Sequence, residues 1–251
     1  MNNYMAVVEY DGTLYNGFQI QPQGRRTIQG ELIRSLSIVL QSLVKISYSG
    51  RTDSGVHAIY QVINFKTDKA LDLYRFKWSV NSLLPDDIVI KSVKKVRESF
   101  DARRDAALRE YTYFIVNSSY QSVFLKKYSI LVTKKMDLNL MKKAARMIVG
   151  THDFRSFCSS GNNKCSKDSQ SFVRRIFKFT IRKSRGDLVI FKISANSFLY
   201  NMVRIIVGTV LELGCGERDL ESIRKATAGK DRQLAGKITP AKGLFLTRVV
   251  Y

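Results

Sequence analysis

Apolar residues in this chain alternate between strand-like and helix-like spacing, and near Ala106 the alternation starts over. That restart limits the fold more than any other feature. A sequence that switches between period 2 and period 3.6 must lay helices on sheets, and a pattern run through twice predicts two similar units. In the first round Met5–Tyr10 reads as a strand halted by Asp11-Gly12, a turn pair. A helix follows from Thr27, a good N-cap, with Ile28, Leu32, Ile33, Leu36, Val39, Leu40 and Leu43 on one stripe. Short strands are predicted around 44–47 and 62–67, then a helix over 72–83 that ends before Pro85, then a strand over 88–96.

The second round opens with a strand over Arg109–Val116 and a helix over Leu138–Ile148. Residues 172–184 and 188–194 flank Arg185-Gly186-Asp187 and read as an antiparallel hairpin. The most apolar helix comes next, with Leu199, Met202, Val203, Ile206, Val210 and Leu213 on one stripe and Gly214 as its stop. A short helix over 219–228 and a strand over 244–251 close the chain. Hairpin-like pairs mixed with helices argue for an α+β fold of two units, 1–105 and 106–251, rather than a doubly wound parallel sheet. Residues 158–171 lack apolar periodicity and are long for a connection, so they are expected to form a mobile loop that orders on RNA.

Composition narrows the function. The chain has 251 residues, 45% of them hydrophobic, which is enough for packed cores and excludes disorder. Its net charge is +21, distributed unevenly: residues 1–105 carry 15 basic and 11 acidic side chains (+4), and 106–251 carry 27 and 10 (+17). A field of that sign attracts polyanions, of which nucleic acid is the commonest. A membrane surface would call for a basic amphipathic helix or a lipidation signal, and neither occurs. No apolar run approaches the roughly 20 residues of a membrane span, and the N-terminus has no signal-peptide layout. With only Cys158, Cys165 and Cys215 there is no disulfide framework, so a cytoplasmic protein is expected.

The densest cluster of chemistry is Ser49-Gly-Arg-Thr-Asp-Ser-Gly-Val-His57, where glycines bracket Arg51, Thr52 and Asp53 and allow a ligand to approach the backbone closely. By composition alone Asp53 reads as a turn former or ion-pair partner as readily as a catalytic acid. Phosphate-loop and dinucleotide patterns are missing, so nucleotide cofactors lose their usual handles. The two histidines, His57 and His152, lie in no metal-binding arrangement, and neither is joined by a nucleophile-elbow sequence that would support a serine triad. Cys158 and Cys165 lack the short spacing of zinc ligands and are expected to be free thiols.

Several segments together resemble the bacterial tRNA pseudouridine synthase A family. They are residues 49–58, Tyr10-Asp-Gly-Thr13, residues 81–88, Phe100-Asp-Ala-Arg103, Arg109-Glu-Tyr-Thr-Tyr113, Phe198-Leu-Tyr-Asn-Met-Val-Arg204 and Gly243-Leu244. They occur in the family's order and span nearly the whole chain. Ser54 stands where the family usually has Ala, and Phe18 where it has Trp. The resemblance implies two similar α/β halves with mixed, largely antiparallel sheets forming a central basic cleft. It also implies a homodimer without metal or cofactor, acting on uridines of the tRNA anticodon arm at tRNA positions 38 to 40.

Carried over position by position, the resemblance makes Asp53 the essential acid that attacks the uridine or its ribose. Tyr111 stacks on the target base, Arg51 holds the nucleotide out of the helix, and Arg204 faces the acid. These roles agree with general physics: turning a base over requires extruding it, and stacking on an aromatic ring contributes about 1 to 3 kcal/mol. A nearby arginine keeps a carboxylate ionised. Judged without the resemblance, Tyr111 reads as a core strand tyrosine and Arg204 as a solvated charge, although an unpaired arginine in so apolar a helix would be costly. The competing function is a non-catalytic RNA-binding or RNA-folding protein, which explains the charge but gives Asp53 nothing to do.

Overall fold

A computed structural model describes residues 1–22, 24–159 and 171–251. The chain divides into two compact units, Met1–Ala107 with Phe245–Tyr251, and Leu108–Leu244. Each is an antiparallel-dominated sheet with helices, so the fold is α+β.

In the first unit the strands are β1 (Asn2–Tyr10), β2 (Ile46–Tyr48), β3 (His57–Thr67), β4 (Ile88–Val96) and the last strand of the chain, β10 (Leu244–Val250). Their order is β4-β1-β3-β10, with β2 on β3. β1 runs antiparallel to both neighbours, with Val7 opposite Val62 on β3, and it is buried along nearly its whole length because it is central. β10 lies parallel to β3, pairing Phe245 with His57. Helix α1 (Ile28–Leu40) starts where the Thr27 side chain accepts from Gly30 N–H. It stops at Gln41, which is left-handed (φ 51°), so the stripe expected to include Leu43 ends earlier and Leu43 is exposed. Helix α2 (Leu73–Asn81), capped by Asp72, sets Phe76 5.6 Å from Phe65 of β3, and Phe65 stacks on Tyr4 of β1.

The second unit contains β5 (Leu108–Asn117), β6 (Ile130–Val132), β7 (Gly150–Asp153), β8 (Val173–Lys183) and β9 (Leu188–Ala195), in the order β5-β9-β8-β7 with β6 parallel to β5. The expected hairpin is β8–β9. Helices α3 (Leu138–Ile148), α4 (Met202–Gly214) and α5 (Leu220–Ala228) complete it. α4 is buried almost all round, in keeping with its apolar sequence. Gly208 on α4 has no room for a side chain, because a Cβ there would collide with the carbonyl of Lys237. The segment 236–240 is therefore pressed against the helix.

Cys158 is disulfide-bonded, which corrects the expectation of a free thiol; spacing unsuited to zinc says nothing against a bridge. Cys165 and residues 160–170 of the expected mobile loop lie outside the described residues. Among the described residues no helix is long and apolar enough to cross a membrane, and no three His, Cys, Asp or Glu side chains are grouped to hold a metal.

Candidate active site

Asp53 occupies the turn between β2 and β3, and that turn is fastened by buried polar side chains. Gln61, fully buried on β3, accepts from Ser49 Oγ at 2.6 Å and donates to the Gly50 carbonyl at 2.8 Å. Ser49 N–H donates to Val62 O at 2.8 Å, so β3 straps the entry to the turn. Thr52, directly before the acid, is buried, with Oγ1 2.7 Å from the Tyr10 hydroxyl. Burial pushes that phenol well above the usual tyrosine range, so it stays neutral and available for hydrogen bonding.

The loop after β1 closes over the same turn. Phe18 N–H donates to the Thr52 carbonyl at 3.0 Å and Ser54 Oγ donates to the Tyr15 carbonyl at 3.0 Å. Gly17 makes this possible: its φ is +89°, and a Cβ there would lie 2.8 Å from Thr52 O. Val56 N–H returns to Asp53 O at 3.1 Å. The backbone on either side of Asp53 is thus fixed while the residue itself is half-exposed. Arg51 is exposed, with Nε 3.4 Å from the Tyr48 hydroxyl. His57 is buried and stacks on Phe245 at 4.5 Å; its Nδ1 lies 3.0 Å from Asp11 Oδ1 and 3.1 Å from Gly12 N.

The other two candidates belong to the second unit. Tyr111 lies on β5 opposite Ile193, is mostly buried, and meets the Phe198 ring edge-on at 5.2 Å. Arg204 lies in the first turn of α4 and is half-buried. Its Nε donates to Thr239 O at 2.7 Å and its Nη1 to Asn201 Oδ1 at 2.8 Å. Two residues along β5, the Tyr113 hydroxyl donates to Pro240 O at 2.7 Å. Burial raises that phenol's pKa too. Residues 239–240 therefore tie β5, the strand that carries Tyr111, to the start of α4 through Tyr113 and Arg204.

Sequence reasoning missed the supports. Gln61, Thr52, Tyr10, Asn201 and Thr239 received no role, although a glutamine between apolar strand neighbours is a readable signal, since a buried amide needs partners. Asn201 and Thr239 carry no such local mark.

A family model described as tRNA pseudouridine synthase matches residues 6–104 and 144–251. The tRNA pseudouridine synthase A of Geobacillus sp. (strain WCH70) is 46% identical over 247 residues, 98% of this chain and 97% of that protein. The protein of the same description from Bacillus subtilis (strain 168) is 39% identical over 248 residues, 98% of both. Among solved structures, a Cbf5-Nop10-Gar1 complex aligns with 97% of this chain and 48% of that chain at 12% identity and a TM-score of 0.40, too loose a likeness to bear on function.

Proposed function

The chain belongs to the tRNA pseudouridine synthase family, and we propose that within it Asp53 is the nucleophile, acting on uridines of the tRNA anticodon arm at tRNA positions 38 to 40. The observation that carries the assignment is a half-exposed acid at the tip of a turn whose backbone is pinned by Gln61, Thr52 and the Gly17 loop. A carboxylate delivered on so fixed a backbone is preorganised, which suits an attacking group.

The reaction is an isomerisation. The bond from the base nitrogen to the ribose breaks, the base turns over, and a bond from a base carbon to the same ribose carbon forms. The base carbon loses a proton and the nitrogen gains one, so no oxidant, reductant or co-substrate is consumed. The Asp53 carboxylate bonds transiently to the base or to the ribose, and that bond breaks again once the base has turned over, so the carboxylate is regenerated. Tyr111 is proposed to stack on the extruded base, Arg51 to hold the nucleotide's backbone, and Arg204 to provide the positive charge that keeps Asp53 ionised. The basic residues of 106–251 are proposed to bind tRNA phosphates. The working form is proposed to be a cytoplasmic homodimer, checked by sedimentation at micromolar concentration.

Incubating purified tRNA with this protein alone, with chelator present and no nucleotide, and mapping pseudouridine afterwards tests the reading. New pseudouridine in the anticodon arm is expected. A requirement for added metal or nucleotide, or modification only outside that arm, would contradict it.

A further inference from the structure

Asn201 directly precedes α4 and has a left-handed backbone, with φ 58° and ψ 5°. Among the described residues only Gln41 shares a positive φ without being glycine. An asparagine at a helix start ordinarily accepts from an amide two or three residues on. Asn201 makes no such cap. Its Oδ1 accepts from Arg204 Nη1 at 2.8 Å and its Nδ2 donates to Ser159 Oγ at 2.8 Å. Because Oδ1 only accepts and Nδ2 only donates, the two bonds together fix which end of the amide meets the guanidinium.

The other grip on Arg204 comes from backbone. Its Nε donates to Thr239 O, and Thr239 N and Oγ1 both donate to the Arg204 carbonyl, at 3.3 and 3.1 Å. That segment is itself seated on α4: Gly236 N–H donates to Thr209 Oγ1 and Lys237 N–H to Glu212 Oε1, each at 2.8 Å. One edge of the guanidinium is thus held by a seated loop, whereas its Nη1 donates to the Asn201 side chain, whose backbone conformation is itself unusual.

We propose that Asn201 is a positioning residue for pseudouridine formation: its left-handed backbone and amide oxygen set the direction in which Arg204 presents its charge to the reacting nucleotide. The inference rests on Arg204 taking part in the reaction. It gives a purpose to a helix start that forgoes its own cap and adopts a conformation few residues tolerate.

A double-mutant cycle measured by single-turnover kinetics at saturating protein tests it, with tRNA affinity and the thermal transition recorded for each variant. Asn201→Gly keeps the left-handed backbone, which glycine adopts freely, and deletes the oxygen. It is expected to slow the reaction about tenfold, the order of a lost hydrogen bond to a charged group, with affinity and thermal midpoint close to wild type. In an Arg204→Met background, adding Asn201→Gly is expected to cost nothing more. A normal rate for Asn201→Gly beside a slow Arg204→Met would overturn the positioning role, as would losses that multiply in the double variant. A normal rate for Arg204→Met would instead remove the reading of Arg204 on which the inference stands.

Discussion

At the Asp53 turn the hydrogen bonds described above fall on the backbone and on neighbouring side chains, whereas at the start of α4 they fall on the Arg204 guanidinium itself. The first arrangement fixes the backbone that carries the acid, through neutral groups that are buried and costly to leave unpaired. In the second the backbone is already helical and the long side chain is what needs steering. Damage to the two regions should therefore look different. Loosening the turn should reduce stability and rate together, whereas disturbing the Arg204 seat should reduce rate alone.

The largest effect that separates the two belongs to Arg204→Met, which keeps apolar bulk and deletes the charge. Single-turnover rates should fall about a hundredfold or more, as when one preorganised donor is removed from a reaction site, with an unchanged thermal transition. A fall in the thermal midpoint to match would break the comparison.

Tyr111 sharpens it, because this residue is both buried and proposed to touch the base. Tyr111→Ala should slow the reaction roughly five- to 150-fold through lost stacking and also lower the thermal midpoint, since it leaves a cavity. Tyr111→Phe should keep most of the rate; equal and complete loss in both would give the hydroxyl an acid–base role.

On the Asp53 side, Tyr10→Phe leaves the buried Thr52 hydroxyl without its 2.7 Å partner. A stability loss of about 1 to 3 kcal/mol is expected, read as a midpoint lower by roughly 2 to 4 °C for each kcal/mol, together with a modest fall in rate. A rate loss at unchanged stability would mean that the turn is not held as described.

The smallest effect is electrostatic. tRNA affinity should weaken with salt at a log–log slope of about −0.7 to −0.9 per phosphate neutralised, and single charge reversals in 106–251 should cost more than those in 1–105. Equal costs in the two regions would remove the charge asymmetry from the account.

What the sequence discloses follows from the range of the interactions involved. The α1 stripe, its Thr27 cap, strand β1, the β8–β9 hairpin and the apolar α4 are local patterns and all appear in the structure, although α1 stops before Leu43, β1 begins earlier, at Asn2, and α4 begins later, at Met202. Strands β6 and β7, of three and four residues, are too short to show a period. β3 begins at His57, ahead of the expected 62, because His57-Ala-Ile-Tyr60 are buried and exposed in pairs instead of alternately. The parallel pairing of β10 with β3 joins residues nearly two hundred positions apart and leaves no local trace. At the site, Asp53 and Arg51 stand out because glycines crowd around them. The left-handed backbone of Asn201 and the pressing of 236–240 onto Gly208 depend on contacts that no neighbouring residue announces.

The most direct test of Asp53 as the nucleophile pairs two measurements on Asp53→Asn. Pseudouridine formation should vanish under single-turnover conditions, while tRNA affinity stays the same or tightens slightly, because a negative charge near phosphate has been removed. Turnover near the wild-type rate in a folded Asp53→Asn protein would contradict the account.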